Sequence, residues 1–395
     1  MIPAYYEFQN STKILSGSHA IEHLGYELAA LGMCRPLVLT NRELLDLKIA
    51  TIVLDALEDT EATVATIYDN VPVDSSVAIV NEVARVYRET KADAIIAVGG
   101  GSVLDTAKGA AIVLTHRSGA GLLENQGAES LLGRRAVPFI AIPTTAGTGS
   151  EVTSAAVIKD PDRNVKLSFQ SLSLLPDVAI LDPRLLVKLP PRLTASTAMD
   201  ALTHAVESVS GRQANPLSDC YARAAIDLIR EYLPIALDRP DDVAARLALA
   251  NAALMAGVAF SNALVGIVHA MGHAAGGIAG VGHGEAMALL LPHGMAYNLD
   301  AVADRYASIL ANLVGIDGYA AIPSAERGQA AIDAVKSLLA VLHERTGLPL
   351  TLGEAGVQAD QIPEIAAAAL DDGSMSMNLK QPSFEELSSL LEGAL

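Results

Sequence analysis

No charged side chain occurs between Leu247 and Gly284, yet the segment "GIVHAMGHAAGGIAGVGHGEAMALLLPH" (Gly266 to His293) holds four of the chain's nine histidines. A run this apolar must either cross a membrane or lie in a protein interior. Asn251, Ser261, Asn262, three histidines and clustered glycines interrupt any window long enough to span. Lipid makes such groups costly, so helices buried in a water-soluble domain account for the composition better. Imidazoles in that setting need partners, and the rest of the chain must say which.

With 395 residues the chain has room for two domains, each with its own core. Hydrophobic residues make up 51% and charged residues 18%, which excludes disorder. A net charge of −18 with no basic run argues against a nucleic-acid partner, and the absence of Trp leaves no platform for stacking bases. Cys34 and Cys220 stand alone, without a disulfide framework, as suits a reducing compartment. "MIPAYYEFQNSTKIL" lacks a basic stretch followed by an apolar one, so a cytoplasmic enzyme with no signal peptide is expected.

The first half alternates β-branched runs with amphipathic segments. "RPLVLTN" (35–41), "ATVATIYD" (62–69), "ADAIIAVGG" (92–100), "VPFIAIPTT" (137–145) and "DVAILD" (177–182) read as strands. "SVAIVNEVARVYRET" and "SVLDTAKGAAIVLTH" between them carry helical spacing. This rhythm predicts a mostly parallel, Rossmann-like sheet covered on both faces. "YYEFQNSTKILSG" (5–17) reads as a hairpin ahead of it. After "DPRLLVKLPPR" (182–192) strand signals almost vanish and Ala and Leu dominate. The expected organisation is an α/β dinucleotide-binding domain over 1–185 and an all-helical, metal-binding domain over 186–395, with a ligand cleft between them.

Gly99, Gly100, Gly101 and Ser102 follow a buried strand and open a helix. Glycines let backbone approach a ligand closely, and free N–H groups at a helix start suit a pyrophosphate. The pattern is neither G-x-G-x-x-G nor a Walker A loop, and a tight turn without a ligand has the same composition. A second loop, "IAIPTTAGTGSEVTSAAVI", offers Thr144, Thr145, Thr148, Ser150 and Thr153 for ribose and nicotinamide, or for helix capping. Two such loops at strand ends favour a dinucleotide.

Asp200 and His204 in "STAMDALTHAVESV" lie four apart on one helix face, and His269 and His273 repeat that spacing. One buried carboxylate among neutral imidazoles is best explained by a divalent cation held by Asp200, His204 and two or three of His269, His273 and His283. N/O ligands suit Fe²⁺ or Zn²⁺ rather than Mg²⁺ or Ca²⁺. Beside a nicotinamide, such an ion lowers the pKa of a bound alcohol or polarises a carbonyl, so that hydride transfer becomes feasible. An imidazole outside the ligand set can relay the proton.

With these motifs in order, the chain resembles the iron-containing (group III) alcohol dehydrogenase family over essentially its whole length. The matching segments are "GGGSVLDTAKGAA", "PTTAGTGSEVTSAAVI", "DPRLLVKLPPRLTASTAMDALTHAVES", the histidine segment and "NLKQPSFEELSSLL". The resemblance implies metal ligands at Asp200, His204, His269 and His283, with His273 acting near the substrate. It implies pyrophosphate contacts at Gly99, Gly100, Gly101 and Ser102, a hydroxyl loop at Thr144, Thr145 and Thr148, and cofactor contact by Lys166. The residues alone mark Lys166 as a solvated surface charge. It further implies a homodimer or higher homo-oligomer acting on a small alcohol or aldehyde, with iron or zinc. Where NAD-preferring members often carry an acid after the first strand, this chain has Asn41 followed by Arg42. Asn can bond a ribose but cannot repel a 2′-phosphate; NAD is the expected cofactor, with NADP open.

Three alternatives follow from the same motifs. A zinc glycerol-dehydrogenase-like enzyme lies nearest. A dehydroquinate synthase-like lyase would want several Lys and Arg for a polyanionic substrate, and the helical half is poor in them around Asp200 and His269. A non-catalytic metal- or nucleotide-binding scaffold would have no use for both cofactor loops and His273.

Overall fold

The computed structural model describes residues 3–115, 121–123, 137–163 and 165–395. The chain divides into two compact units. One comprises Asn10–Lys188 with Asp241–Ala250; the other comprises Leu189–Pro240, Asn251–Leu395 and a short N-terminal stretch ending at Gln9.

The α/β unit is built on strands β1 (Lys13–Ser16), β2 (Pro36–Leu39), β3 (Thr66–Tyr68), β4 (Ala94–Gly99), β5 (Phe139–Pro143), β6 (Ala155–Asp160), β7 (Val165–Gln170) and β8 (Val178–Leu181). Its helices are α1 (Leu24–Ala30), α2 (Arg42–Asp46), α3 (Ile49–Glu58), α4 (Val77–Thr90) and α5 (Gly101–Thr115). Six strands form one sheet in the order β1-β8-β5-β4-β2-β3, and every pairing in it is parallel. Strands buried on both sides have no polar face, hence runs such as "AIIAVG" rather than alternation. Leu37, Leu39, Ile95, Ala97, Phe139 and Ala141 pack with α4 and α5 on one side. The intervening Val38, Ile96, Val98, Ile140 and Ile142 pack with α1 and α3 on the other. The chain steps outward from β2 to β3, then returns to place β4 on the far side of β2. At that reversal the loops after β2 and β4 leave the carboxyl ends side by side, where open α/β sheets bind ligands.

One sequence expectation needs correction. Residues 5–17 do not form a hairpin: β1 is a single strand paired parallel with β8, and Thr12 Oγ1 donates to Pro176 O at 2.9 Å. The residues before it take another route, with Gln9 N bound to Asn262 Oδ1 at 2.7 Å in the helical unit. A real hairpin lies at β6–β7, antiparallel and separate from the main sheet. Its signal was the Asp-Pro-Asp-Arg turn between two alternating runs.

The helical unit contains α6 (Pro191–Ser210), α7 (Pro216–Asp238), most of α8 (Val243–Ala263), α9 (Ile267–Ala279), α10 (His283–Ala321), α11 (Arg327–Thr346), α12 (Ile362–Asp371) and α13 (Phe384–Glu392). Pro191 starts α6, where a missing N–H costs nothing, and α6 is buried from Thr194 to Ser210. Leu264, at φ 62°, ends the apolar run of α8 and lets α9 begin. Helix α8 is long and apolar enough to cross a membrane, but 61% of its most apolar window is buried within the fold, as for a core helix.

Lys108 of α5 is fully buried; its Nζ donates to Thr153 Oγ1 at 2.9 Å and Ala155 O at 2.7 Å, tying the helix to β6. Glu151 is 2% exposed, and burial pushes its carboxyl up to about 7, against the pull of Lys108. A carboxyl raised in the folded state binds its proton more tightly there than in the unfolded chain. Stability should therefore fall as pH rises from 4.5 toward about 7. Glu151→Gln should flatten that slope and gain up to about 3 kcal/mol at pH 8, read by denaturant unfolding across pH.

Candidate functional site

Helix α6 carries Asp200, His204 and Glu207 at i, i+4 and i+7, hence on one buried face. Helix α9 brings His269 and His273, one turn apart, and His283 is the first residue of α10. His283 Nε2 lies 3.4 Å, His204 Nδ1 3.8 Å and His269 Nε2 4.0 Å from the single oxygen Asp200 Oδ1. Ligand atoms of Asp200, His269 and His283 all fall within 4.8 Å of one another. His204 is stacked between Phe260, with ring centroids 4.1 Å apart, and His269, at 4.6 Å. His293, further along α10, contributes no atom to this group.

Burial opposes ionisation of Asp200, yet His204, His283 and His269 hold its carboxyl well below the usual carboxylate range. Burial pushes His204 down to about 3, and pushes His269 well below the ordinary imidazole value, with His283 and His273 adding to the effect. A carboxylate and imidazoles thus turn polar atoms toward one point. Asp200 Oδ1, His204 Nδ1 and His269 Nε2 are buried and have no hydrogen-bond partner among the described residues. Buried polar atoms are rarely left so, and a divalent cation supplies what all three lack. The residues therefore fit a metal. The Asp200 and His269 side chains are 2% and 3% exposed, whereas His283 is 29% exposed and marks the open side.

The spacing did not single out two supporting carboxylates. Glu207 Oε2 lies 2.6 Å from His269 Nδ1. Asp372, the N-cap of the short turn after α12, lies 2.9 Å from His273 Nδ1. Burial opposes the charge on Asp372, but hydrogen bonds from His273 and Ser374 hold its carboxyl below the usual range. Glu207 was legible in principle, since i+7 from Asp200 is the same face; Asp372 in "LDDGSM" carries no such signal. His273 stacks on His283 at 5.5 Å but is absent from the tight ligand group.

In the α/β unit the glycine loop follows β4 and the threonine loop follows the adjacent β5, joined by Thr144 N to Gly99 O at 3.0 Å. A Cβ on Gly99 would fall 2.5 Å from Val103 Cγ2, and one on Gly101 would fall 2.8 Å from Thr148 Cγ2. Only glycine admits this packing, which leaves backbone exposed at the start of α5. Ser102 Oγ accepts from Asp74 N at 3.1 Å, and Asp74 Oδ1 accepts from Lys166 Nζ at 2.8 Å. Lys166 is not the solvated charge its sequence context suggests: its side chain is 9% exposed and tethered through Asp74 to the glycine loop. Asn41 Oδ1 caps α2 by accepting Leu44 N at 3.0 Å, and Arg42 pairs with Asp69 at 2.8 Å.

Comparison with known proteins gives the family. The family model for iron-containing alcohol dehydrogenases matches residues 11–183, and the model for the C-terminal region of that family matches residues 194–395. The chain is 36% identical to the NAD-dependent methanol dehydrogenase of Bacillus methanolicus, covering 96% of this chain and 97% of that one. It is 37% identical to the 1,3-propanediol dehydrogenase of Klebsiella pneumoniae over 96% of both chains. A crystal structure of a 1,3-propanediol oxidoreductase superposes with a TM-score of 0.92 at 34% identity, covering 99% of this chain and 100% of that one. The chain belongs to the iron-containing alcohol dehydrogenase family and is an oxidoreductase.

At zinc a hundredfold above its Kd, the metal-stripped protein should gain about 2.7 kcal/mol of stability. Asp200→Ala should lose most of that gain, as read by thermal unfolding with and without zinc.

Proposed function

We propose that this chain is a divalent-metal-dependent, NAD(P)-linked dehydrogenase interconverting small primary alcohols or diols with their aldehydes. The observation that carries the reading is the convergence of unpartnered Asp200 Oδ1, His204 Nδ1 and His269 Nε2. Asp200, His204, His269 and His283 would hold the metal, iron or zinc. Bound there, it would supply Lewis acidity toward a hydroxyl or carbonyl oxygen, while the nicotinamide would supply the hydride acceptor.

His273 is aimed by Asp372; with Nδ1 donating to that carboxylate, Nε2 is the atom left to exchange the substrate's hydroxyl proton. Gly99, Gly100, Gly101 and Ser102 receive the pyrophosphate. Thr144, Thr145, Thr148 and Lys166 serve the rest of the dinucleotide, and Asn41 its adenosine ribose. In this reading the α/β domain holds the dinucleotide and the helical domain the metal. Small substrates are supported by the names of the relatives, which act on methanol and propanediol. A lyase with a polyanionic substrate is disfavoured, because α6 has no Lys or Arg after Arg192 and none occurs between Leu247 and Gly284. Free Cys34 and Cys220 suit a cytoplasmic setting, and a homodimer or larger homo-oligomer rests on the family resemblance.

The test is anaerobic purification, stripping, and reloading with Fe²⁺ or Zn²⁺. NAD⁺ and NADP⁺ reduction is then followed with ethanol, butanol, propane-1,2-diol, propane-1,3-diol and glycerol. A metal-dependent rate that His269→Ala abolishes supports the reading, and silence in both directions with every substrate ends it.

Cofactor choice has its own prediction. Asn41→Asp should lower kcat/KM for NADP⁺ by about tenfold or more and spare NAD⁺, because a carboxylate repels a 2′-phosphate and bonds a ribose.

A further inference from the structure

Glu207 occupies a position that simple helix packing does not require. Its side chain is buried, and two backbone N–H donors and one imidazole nitrogen converge on its two oxygens. Gly266 N lies 3.0 Å and His269 Nδ1 2.6 Å from Oε2, and Val268 N lies 2.7 Å from Oε1. Two of these groups are amides at the start of α9, and the third is a nitrogen of an imidazole whose other nitrogen faces Asp200. A Cβ at Gly266 would sit 3.3 Å from Glu207 Oε1 and 2.9 Å from Asn378 Oδ1, so glycine allows α9 to begin this close. Glu207 is on α6, the helix that supplies Asp200 and His204. One carboxylate thus ties the two ligand helices together and also sets the orientation of a ring on the second.

A neutral imidazole has one N–H and two places to direct it. Asp200 Oδ1, 4.0 Å from Nε2, would draw that hydrogen to Nε2 and leave no lone pair for a metal. The Glu207 oxygen, 2.6 Å from Nδ1, draws it the other way. We propose that Glu207 is a positioning residue that fixes His269 in the Nδ1–H tautomer, leaving Nε2 as a metal-ligating lone pair and thereby setting metal affinity. This rests on the metal centre proposed above.

The experiment compares wild type with Glu207→Gln. Metal-free thermal unfolding, zinc affinity by competition with a chromophoric chelator, and NADH affinity are measured on both. The expected result is a folded variant whose zinc affinity falls about tenfold to a hundredfold, with NADH affinity unchanged and turnover regained at saturating metal. A purely structural tie between α6 and α9 would lower the metal-free Tm and leave the zinc affinity of the folded protein unchanged, and that outcome overturns the proposal. Histidine-selective ¹⁵N NMR of metal-free wild type decides the matter even where the variant misfolds. A protonated Nδ1 on His269 supports the proposal, and a protonated Nε2 overturns it while leaving the metal centre intact. A wild type that binds no zinc overturns both.

Discussion

The helical unit is organised around one buried carboxylate oxygen that has no hydrogen-bond partner among the described residues. Asp200 Oδ1 lies deep in α6 with imidazole nitrogens on three sides and no hydrogen bond among the described residues. An anion so placed is unfavourable unless a cation completes it. That cost explains features that would otherwise look unrelated. Helix α6 is buried along most of its length to hold the group away from water. Phe260 stacks on His204, and the two helices that carry Asp200, His204 and His269 have no lysine or arginine after Arg192.

Support for the ligands comes from a second layer of carboxylates. Glu207 and Asp372 each lie against Nδ1 of a histidine, one in the ligand group and one beside it. Under the proposed function the same device would serve two ends: in His269 it would aim Nε2 at the metal, and in His273 it would leave Nε2 available to a substrate proton. Two histidines four residues apart on α9 thus meet carboxylates from different parts of the chain.

The α/β unit would meet a different need, bringing backbone close to the dinucleotide proposed to bind there. Its parallel sheet, buried on both faces, sends β4 and β5 out side by side, so the glycine and threonine loops meet. Gly99 and Gly101 have no room for a Cβ because Val103 and Thr148 already fill that space. Lys166 reaches the same region from β7 through Asp74. A lysine in an exposed-looking "DRNVKLSF" gave no hint of this, since the ion pair joins residues 92 positions apart.

The alternation of apolar runs with amphipathic segments, the change of character near Pro190, and the i, i+4 spacing of Asp200–His204 and His269–His273 were legible in the sequence. Each is a local periodicity, and local periodicity expresses which face of a helix or strand is buried. The short N-terminal strand reads locally as a hairpin because its partner, β8, lies far along the chain. The β6–β7 hairpin does carry a local signal, in its turn. Strand order, the meeting of α6, α9 and α10 at one oxygen, and the roles of Glu207 and Asp372 were decided only by the tertiary structure. Pairings between distant segments leave no spacing for a periodicity to record, so the sequence by itself determined which residues could ligate, and the fold decided which atoms face one another.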